Sequence, residues 1–241
     1  MLAVDVSNYT TPLTPDALAQ WQQAGVGLVI VQAIDPPPGF PTGETRAQLQ
    51  ACKDAGLPVD AYVWLWFDLD GSDIAHKLSM LDGFNVRRIW LDVEDTAAQK
   101  YNQADTEAKV QAALDLCDAY PHTDPHPTGI YTGAWFWTSV RYMDNTHTFS
   151  SRDLWDANYD GQATDDNFKS YGGWPARTMH QYQGTSTLDG IANVDLDFLL
   201  DLTRETPIDW PWLTWREAAI NYKAIADALG QQLAAQGSAT A

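Results

Sequence analysis

The first half of the chain repeats one pattern, an apolar strand-like run followed by an amphipathic helical segment, and no other feature limits the possible folds as much. Runs of this kind occupy residues 2–6, 26–34, 59–67 and 87–95. A continuous apolar run such as 26–34 is typical of a parallel strand that is covered on both faces. Strands that alternate with helices form a parallel sheet with right-handed crossovers. The expected helices span residues 17–24, 45–55, 72–81 and 104–119.

After residue 127 the strands continue but the helices nearly disappear. Strand-like segments at 128–132, 153–159, 178–183 and 193–198 are joined mainly by loops rich in Gly, Asp and Ser, with one short helix expected near 135–143. This pattern predicts an α/β fold, an irregular TIM-like (β/α) barrel with helices mainly after the first strands. We place the barrel at residues 1–206. Residues 207–241 form a Trp-rich C-terminal segment, with a helix expected at 214–232 and a flexible tail.

The charge of the chain excludes several kinds of partner. The 241 residues contain 14 Lys and Arg against 32 Asp and Glu, which gives a formal net charge of −18. Nucleic acids and anionic membrane surfaces are bound through clustered basic residues, so neither is an expected partner. No run is apolar and long enough to span a membrane, and residues 1–5 enter a strand without a conventional signal peptide. Cys52 and Cys117 lack a metal-type spacing, which predicts two buried free thiols.

Two carboxylates end the fourth apolar run at a spacing of two residues. Successive strand side chains point to opposite faces, so Asp92 and Glu94 share one face while Leu91 and Val93 take the other. Two acids this close disfavour double ionisation, and one of them tends to keep its proton near neutral pH, as a general acid must. The alternative interpretation of this motif alone is a strand that has reached solvent and turned polar.

Further acids and several aromatic residues are expected beside this pair. Functional side chains of such barrels gather at the C-terminal edge of the strands, where Asp5 of strand one and Asp195 of strand eight would join Asp92 and Glu94. Carboxylates among aromatic rings suit a carbohydrate, whose C–H faces stack on rings and whose hydroxyl groups need acceptors. Any single ring could instead belong to the core. The aromatic residues expected at this edge are Tyr62, Trp64, Tyr131, Trp135, Tyr159 and Tyr182.

Five segments, in a fixed order along the chain, carry a family resemblance. They are Asp5-Val6-Ser7, Leu91-Asp92-Val93-Glu94, Ile130-Tyr131-Thr132-Gly133, LWDANY at 154–159 and HQYQGTSTLDGIANVDLD at 180–197. Together they resemble the glycoside hydrolase family 25 lysozymes, from residue 2 to about residue 200. The resemblance implies an N-acetylmuramidase that cleaves the β-1,4 bond between N-acetylmuramic acid and N-acetylglucosamine in peptidoglycan. It implies Glu94 as general acid, and Asp92 as nucleophile or as assistant of the substrate's N-acetyl group.

The same resemblance implies substrate-binding residues. Asp5 and Asp195 match two further site acids of the family, and Tyr62 matches a site tyrosine on the third strand. We expect Trp64, Tyr131, Tyr159 and Tyr182 to bind the substrate with them. The chain departs from the family on strand two, where Gln32-Ala33-Ile34-Asp35-Pro36 replaces a K-A-T-E-G-like end, and on strand three, where Tyr62-Val63-Trp64 replaces Y-H-F. These positions shape subsites, so the resemblance constrains the preferred wall polymer less than the reaction.

Three functions remain open from the sequence, the weakest of which is a glycosidase that acts on some other acetylated glycan. The first is a bacteriolytic peptidoglycan hydrolase that acts on the bacterial cell wall, extracellularly or on a virion, for which a phage endolysin is a reasonable setting. The second is a catalytically weakened module that binds wall glycan or builds a phage particle on the same barrel. The altered strands and the C-terminal segment, which could contact a phage particle or another protein, favour the second function. The four acids oppose it, because a module that only binds has no need of a costly carboxylate pair.

Two other motifs contain residue types that can bind metal ions, but neither has the pattern of a metal site, and we expect no metal and no cofactor. Residues 122–126 alternate His, Asp and His, but they precede strand five and so lie at the opposite end of the barrel from the pocket, where a solvated Pro-rich loop is the simpler interpretation. Residues 68–73 are rich in Asp but lack the spaced ligands and closing Glu of a calcium loop, which favours a capped turn.

Overall fold

The computed structural model describes residues 1–34, 44–123 and 128–200, and eight strands within them form one closed barrel. Each strand lies beside its neighbours in sequence, and β8 closes the ring against β1. The predicted α/β barrel is therefore confirmed. The strands are β1 (Leu2–Val6), β2 (Val26–Gln32), β3 (Val59–Trp64), β4 (Val86–Asp92), β5 (Gly129–Thr132), β6 (Leu154–Ala157), β7 (Met179–Leu188) and β8 (Ile191–Leu199).

Helices cover the outside of the first half of the barrel, as the sequence predicts. Thr14 starts the first of them by accepting a hydrogen bond from the Ala17 N–H, and Pro15 occupies the first helical position. Within the described residues, the helix after β5 is a single turn, shorter than the predicted segment 135–143. The helices are α1 (Pro15–Gln23), α2 (Glu44–Ala55), α3 (Gly71–Ser79), α4 (Gln103–Ala119) and α5 (Ala134–Trp137), with a 3₁₀ helix over Thr96–Lys100.

The last strand runs against its neighbours. Strands β1 to β7 pair in parallel, whereas β8 pairs antiparallel with both β7 and β1. The chain reverses at Asp189 and Gly190, whose φ angles of 49° and 83° suit a two-residue hairpin turn that is too short for a crossover. The expectation that strand eight brings Asp195 to the rim at its C-terminal edge is therefore wrong in the direction of the strand, although Asp195 does reach the same end of the barrel as Asp5. Asp195 lies midway along β8, where its register partner is Asp5 near the end of β1.

Two apolar clusters stabilise the barrel, one on each side of the sheet. Outward side chains such as Val29 and Leu91 pack against the helices, while inward side chains fill the barrel around Trp90 and Trp155. Gly129 makes room for this filling, because a Cβ atom at that position would lie 2.3 Å from the Trp90 ring. Packed aromatic rings therefore fill this part of the barrel interior, and the polar cavity lies at the rim.

Three further expectations concern parts of the chain away from the barrel interior. The predicted C-terminal segment, residues 207–241, lies outside the described residues. Among the helices of the described ranges, none combines the length and the apolarity that a membrane span requires. Cys52 on α2 and Cys117 on α4 are both buried and unpaired.

Candidate active site

The structure brings the four predicted acids together at one end of the barrel. Asp5, Asp92, Glu94 and Asp195 all line a cavity of about 220 Å³. The cavity lies at the C-terminal edge of the parallel strands, which is where such barrels place their chemistry. Asp5 and Asp92 are buried, whereas Glu94 and Asp195 are half-buried.

Glu94 faces the cavity because strand-like pairing continues beyond the last residue of β4. The Val93 N–H donates to the Tyr131 carbonyl oxygen at 2.9 Å, and the Val93 carbonyl oxygen accepts from the Thr132 hydroxyl at 2.8 Å. Val93 is fully buried on the outer side, so the alternation along the chain keeps Glu94 on the same face as Asp92. Asp95 then ends the strand and accepts a hydrogen bond from the Ala97 N–H at the start of the 3₁₀ helix.

Gln181 connects three of the residues at the cavity. Its side-chain amide donates to Asp5 Oδ2 at 2.7 Å and to Asp195 Oδ2 at 3.3 Å, and its Oε1 accepts from the Tyr131 hydroxyl at 2.8 Å. Both amide hydrogens and the carbonyl oxygen are therefore used, which fixes the orientation of the amide. A fixed amide in turn fixes the two carboxylates and the phenol that it contacts.

A fifth carboxyl group lies beneath these acids. Asp197 is fully buried, and its Oδ1 accepts a hydrogen bond of 2.8 Å from the Trp155 indole N–H. Burial and the charge of Asp5 raise the pKa of Asp197 well above its ordinary value. The other oxygen of Asp197, Oδ2, has no hydrogen-bond partner among the described residues.

Burial and mutual repulsion raise the proton affinity of the whole cluster. Burial, with smaller contributions from the charges of Glu94 and Asp5, raises the pKa of Asp92 well above its ordinary value. Burial and then the charge of Asp195 raise the pKa of Glu94 from 4.5 to about 7. The site therefore retains protons near neutral pH, as the spacing of the acids predicts.

One buried cation opposes this repulsion at Asp92. Lys77 of α3 donates from Nζ to the Trp64 carbonyl oxygen at 2.9 Å and to Asp73 Oδ2 at 2.6 Å. Trp64 is the register partner of Asp92 across β3 and β4, so the ammonium group lies behind the strand pair that carries this acid. Its charge lowers the pKa of Asp92, whereas the causes that raise the pKa of Glu94 are burial and the charge of Asp195.

Four of the five predicted aromatic binding residues line the cavity, namely Tyr62, Trp64, Tyr131 and Tyr159. The ring of Trp155 forms part of the same lining and packs edge-on against Tyr131 at 4.6 Å and Tyr62 at 6.1 Å between ring centroids. The cavity thus combines acidic side chains with an aromatic surface. Sequence reasoning named Gln32 only as a position that shapes subsites and missed five other lining residues, which are Ser7, Tyr9, Trp155, Gln181 and Asn193.

Tyr182 does not reach the cavity, in contrast to the sequence prediction. It belongs to the outer apolar cluster, on the same face of β7 as His180, whose ring nitrogens both contact backbone carbonyl oxygens. The intervening residue, Gln181, points inward with Met179. The alternation of side chains along β7 was the signal that could have identified Gln181 in place of Tyr182.

Other features of the described residues fit a ligand less well. A cavity of about 420 Å³ lies at the opposite end of the barrel, against Val59 and Arg87 near the starts of β3 and β4, and has no carboxylate in its lining. Within residues 1–34, 44–123 and 128–200, no three His, Cys, Asp or Glu side chains are placed to hold a metal ion. Two members of the predicted His-Asp-His motif, Asp124 and His126, lie outside the described residues.

Comparison with known proteins gives consistent results. The sequence model of glycosyl hydrolases family 25 matches residues 4–191. The chain is 30% identical over 202 residues to probable GH family 25 lysozyme 3 of Dictyostelium discoideum, which covers 81% of this chain and 40% of that protein. It is also 31% identical over 160 residues to counting factor 50 of the same organism, which covers 62% of this chain and 50% of the relative. The chain therefore spans about half the length of these relatives or less.

Solved structures confirm the fold. The spore cortex lytic enzyme SleM of Clostridium perfringens superposes with a TM-score of 0.66 at 19% identity, over 86% of this chain and 69% of that one. A family 25 glycosyl hydrolase of Bacillus anthracis superposes with a TM-score of 0.61 at 15% identity, over 83% and 89% of the two chains. At these identities the likeness describes the backbone and does not extend to the roles of side chains.

Proposed function

The chain belongs to family 25 of the glycosyl hydrolases, and from this premise we propose that it hydrolyses peptidoglycan. The bond cleaved is the β-1,4 linkage between N-acetylmuramic acid and N-acetylglucosamine. The observation that carries the proposal is the pairing of Glu94 with Asp92 in an aromatic-lined cavity inside the matched residues. A polymer of acetylated sugars offers the C–H faces and polar groups that such a lining can bind.

Glu94 acts as the general acid. It is the half-buried member of the pair, within reach of a glycosidic oxygen that enters the cavity. Its pKa of about 7, raised by burial and by the charge of Asp195, leaves it protonated in a large fraction of molecules at neutral pH. A carboxylic acid that holds its proton near working pH is suited to protonate a leaving group.

Asp92 stabilises the positive charge that develops at the anomeric carbon as the bond breaks. It lies deeper than Glu94, and its Oδ1 has no hydrogen-bond partner among the described residues. Such an oxygen can attack the anomeric carbon, or it can accept the N–H of the substrate's acetamido group and orient that group for attack. Burial and the charges of Glu94 and Asp5 raise the pKa of Asp92, and the nearby charge of Lys77 opposes this rise. A proton on Glu94 removes that residue's contribution and so favours the ionised Asp92 that either route requires.

The remaining residues hold the substrate and the catalytic pair in place. Asp5 and Asp195 accept from Gln181 and present carboxylate oxygens to sugar hydroxyl groups, while Tyr62, Trp64, Tyr131 and Tyr159 supply the ring surface. No step of this scheme uses a metal or a cofactor.

The test is the clearing of purified bacterial cell walls by the wild type and by Glu94→Gln. We expect a fall in turbidity with the wild type and none with the variant, because glutamine cannot donate the required proton. Glu107→Gln, at a half-buried acid on α4 outside the cavity, is the matched control and keeps wild-type clearing. Mass spectrometry of the fragments identifies the bond, since the proposed cleavage leaves muramic acid at the new reducing end.

Other outcomes of the same experiment would replace the proposal. Equal clearing by the wild type and Glu94→Gln would remove Glu94 from the mechanism. Binding to walls without clearing by the wild type would support the weakened binding module. The named relatives are proteins of Dictyostelium discoideum and lend no support to the phage setting. The proposal is therefore limited to action on the bacterial cell wall.

A further inference from the structure

We propose that a second cavity beside the catalytic one binds a further, carboxylate-bearing hexosamine residue of the same glycan strand. This inference rests on the proposed function, since it extends the substrate beyond the bond that is cleaved. The second cavity measures about 420 Å³ and is lined by aromatic residues, including Trp135 and Phe168, and by polar ones, including Asn158 and Lys169.

The two cavities share the end of β6 as a common wall. Trp155 and Tyr159 line the catalytic cavity, whereas Ala157 and Asn158, between them in sequence, line the second one. Tyr159 is exposed on the ridge between the two, and its hydroxyl lies 3.5 Å from that of Tyr131. A linear polymer seated in the catalytic cavity can therefore continue across this ridge into the second cavity.

Trp135 gives the second cavity a fixed aromatic surface. Its side chain is 57% exposed, which is unusual for the largest apolar residue. The ring nevertheless packs tightly over Gly133, because a Cβ atom at that position would lie 2.7 Å from its Cδ1. The rings of Phe136 and Tyr142 pack edge-on against it at centroid distances of 5.5 and 6.3 Å. An exposed indole that is already ordered can stack on a sugar face with little loss of entropy.

Lys169 gives the same cavity a positive charge. The lining also holds two carboxylates, of which Asp156 pairs with Arg177 and Asp160 accepts hydrogen bonds from the Asn158 and Asn167 side chains. In a chain of net charge −18, several other cations form ion pairs, as Lys77 does with Asp73 and Arg177 with Asp156. The exposed Lys169 ammonium group makes no ion pair or hydrogen bond within the described part of the chain. Such a group is suited to a carboxylate, which muramic acid carries on its lactyl substituent once the peptide is removed.

Asn158 adds a polar contact of the kind that an acetylated sugar needs. Its amide nitrogen donates to Asp160 at 3.2 Å, which leaves its carbonyl oxygen as an acceptor for a hydroxyl or an acetamido N–H. An indole, an amide oxygen and an ammonium group in one cavity match the C–H face, the N-acetyl group and the carboxylate of one hexosamine unit.

The experiment compares glycan fragments of two lengths, four and six saccharides, prepared from peptidoglycan whose peptides have been removed. We expect Trp135→Ala to lower kcat/KM for the hexasaccharide by about 3- to 10-fold and to leave the tetrasaccharide unchanged. Trp135→Phe keeps an aromatic surface and should recover most of the loss. Val140→Ala, which also trims an exposed apolar side chain near α5, is the matched control and has no effect.

Lys169→Gln tests the charge. We expect it to lower kcat/KM for the hexasaccharide by about 2- to 5-fold at low salt and less at high salt, with no effect once the carboxylates of the fragment are amidated. Lys109→Gln, on the outer helix α4, is the matched control and leaves both substrates unchanged. A loss that is equal for amidated and free carboxylates would overturn the role of Lys169.

Failure of this inference can be separated from failure of the proposed function. If the wild type cleaves both fragments and Trp135→Ala matches it on the hexasaccharide, the second site is refuted while the function stands. If the wild type cleaves neither, the affinity of the hexasaccharide is measured by calorimetry. Weaker binding by Trp135→Ala would then support the second site without hydrolysis, and equal binding would refute it.

Discussion

Glu94→Gln should abolish activity and also stabilise the folded protein at alkaline pH. Burial and the charge of Asp195 raise the pKa of Glu94 from 4.5 to about 7, so the folded state holds this proton more tightly than the unfolded chain. The resulting stability is complete below pH 4.5 and is lost as the pH rises towards 7. A shift of this size corresponds to about 3 kcal/mol once Glu94 is fully ionised, because each tenfold change in proton affinity is worth about 1.4 kcal/mol.

The assay is urea unfolding of the wild type and the variant at two pH values. At pH 5 ionisation of Glu94 costs the wild type about 1 kcal/mol of folding free energy, and at pH 8 about 3 kcal/mol. Glutamine does not ionise, so the advantage of Glu94→Gln should grow by about 2 kcal/mol between these pH values. Comparing the two pH values cancels any effect of the substitution that does not depend on pH.

Glu107→Gln is the control: it removes a half-buried acid of α4 outside the cavity and should show no growth in stability between pH 5 and pH 8. If Glu94→Gln behaves in the same way, Glu94 has an ordinary pKa in the folded protein. The argument that burial and Asp195 keep this carboxyl protonated would then be wrong, and the general-acid role would lose its physical basis.

The titration of Glu94, the amide of Gln181 and the ion pair of Arg177 can each be tested separately. The kcat/KM of the wild type should fall about tenfold per pH unit above pH 7 as Glu94 loses its proton, and a profile flat to pH 9 would contradict this. Gln181→Leu, which removes the 2.7 Å hydrogen bond to Asp5, should lower kcat/KM by about 10- to 100-fold. An unchanged kcat/KM would show that catalysis does not depend on the orientation that the Gln181 amide gives to Asp5 and Asp195. Arg177→Met breaks a buried ion pair and should cost about 3 to 5 kcal/mol of unfolding free energy, whereas Arg152→Met, at a more exposed pair, should cost about 1 kcal/mol or less in the same urea titration.

Much of the barrel could be predicted because its strands carry an unambiguous signal. A strand buried on both faces reads as a continuous apolar run, and segments such as Val26–Gln32 leave little room for another interpretation. The acids could be identified from the same runs, since Asp5 and Asp92 each interrupt an apolar run near the end of that run. Their convergence followed from the rule that parallel strands end at one edge. The catalytic roles of these acids remain predictions.

The second half of the chain was harder to predict because its outcome depends on turns and on strand register. The reversal of β8 is set by two residues, Asp189 and Gly190, which adopt left-handed backbone conformations. Whether Gln181 or Tyr182 faces the cavity depends on a register difference of one residue, and an aromatic residue was the more conspicuous choice. Asp197 appeared in a recognised motif, but its hydrogen bond to Trp155 is a tertiary contact with no local sequence signal.

The seam where β8 meets β1 has a consequence for the order in which the molecule is made. Asp5 and its register partner Asp195 are separated by 189 residues, so a ribosome delivers Asp195 long after Asp5. Contacts between such distant positions form late, because a long loop must close before they contribute any stability. A chain halted before β8 would therefore expose an unpaired edge on β1 and lack Asp195. The cluster of acids is thus assembled only once β8 has been made and has paired with β1.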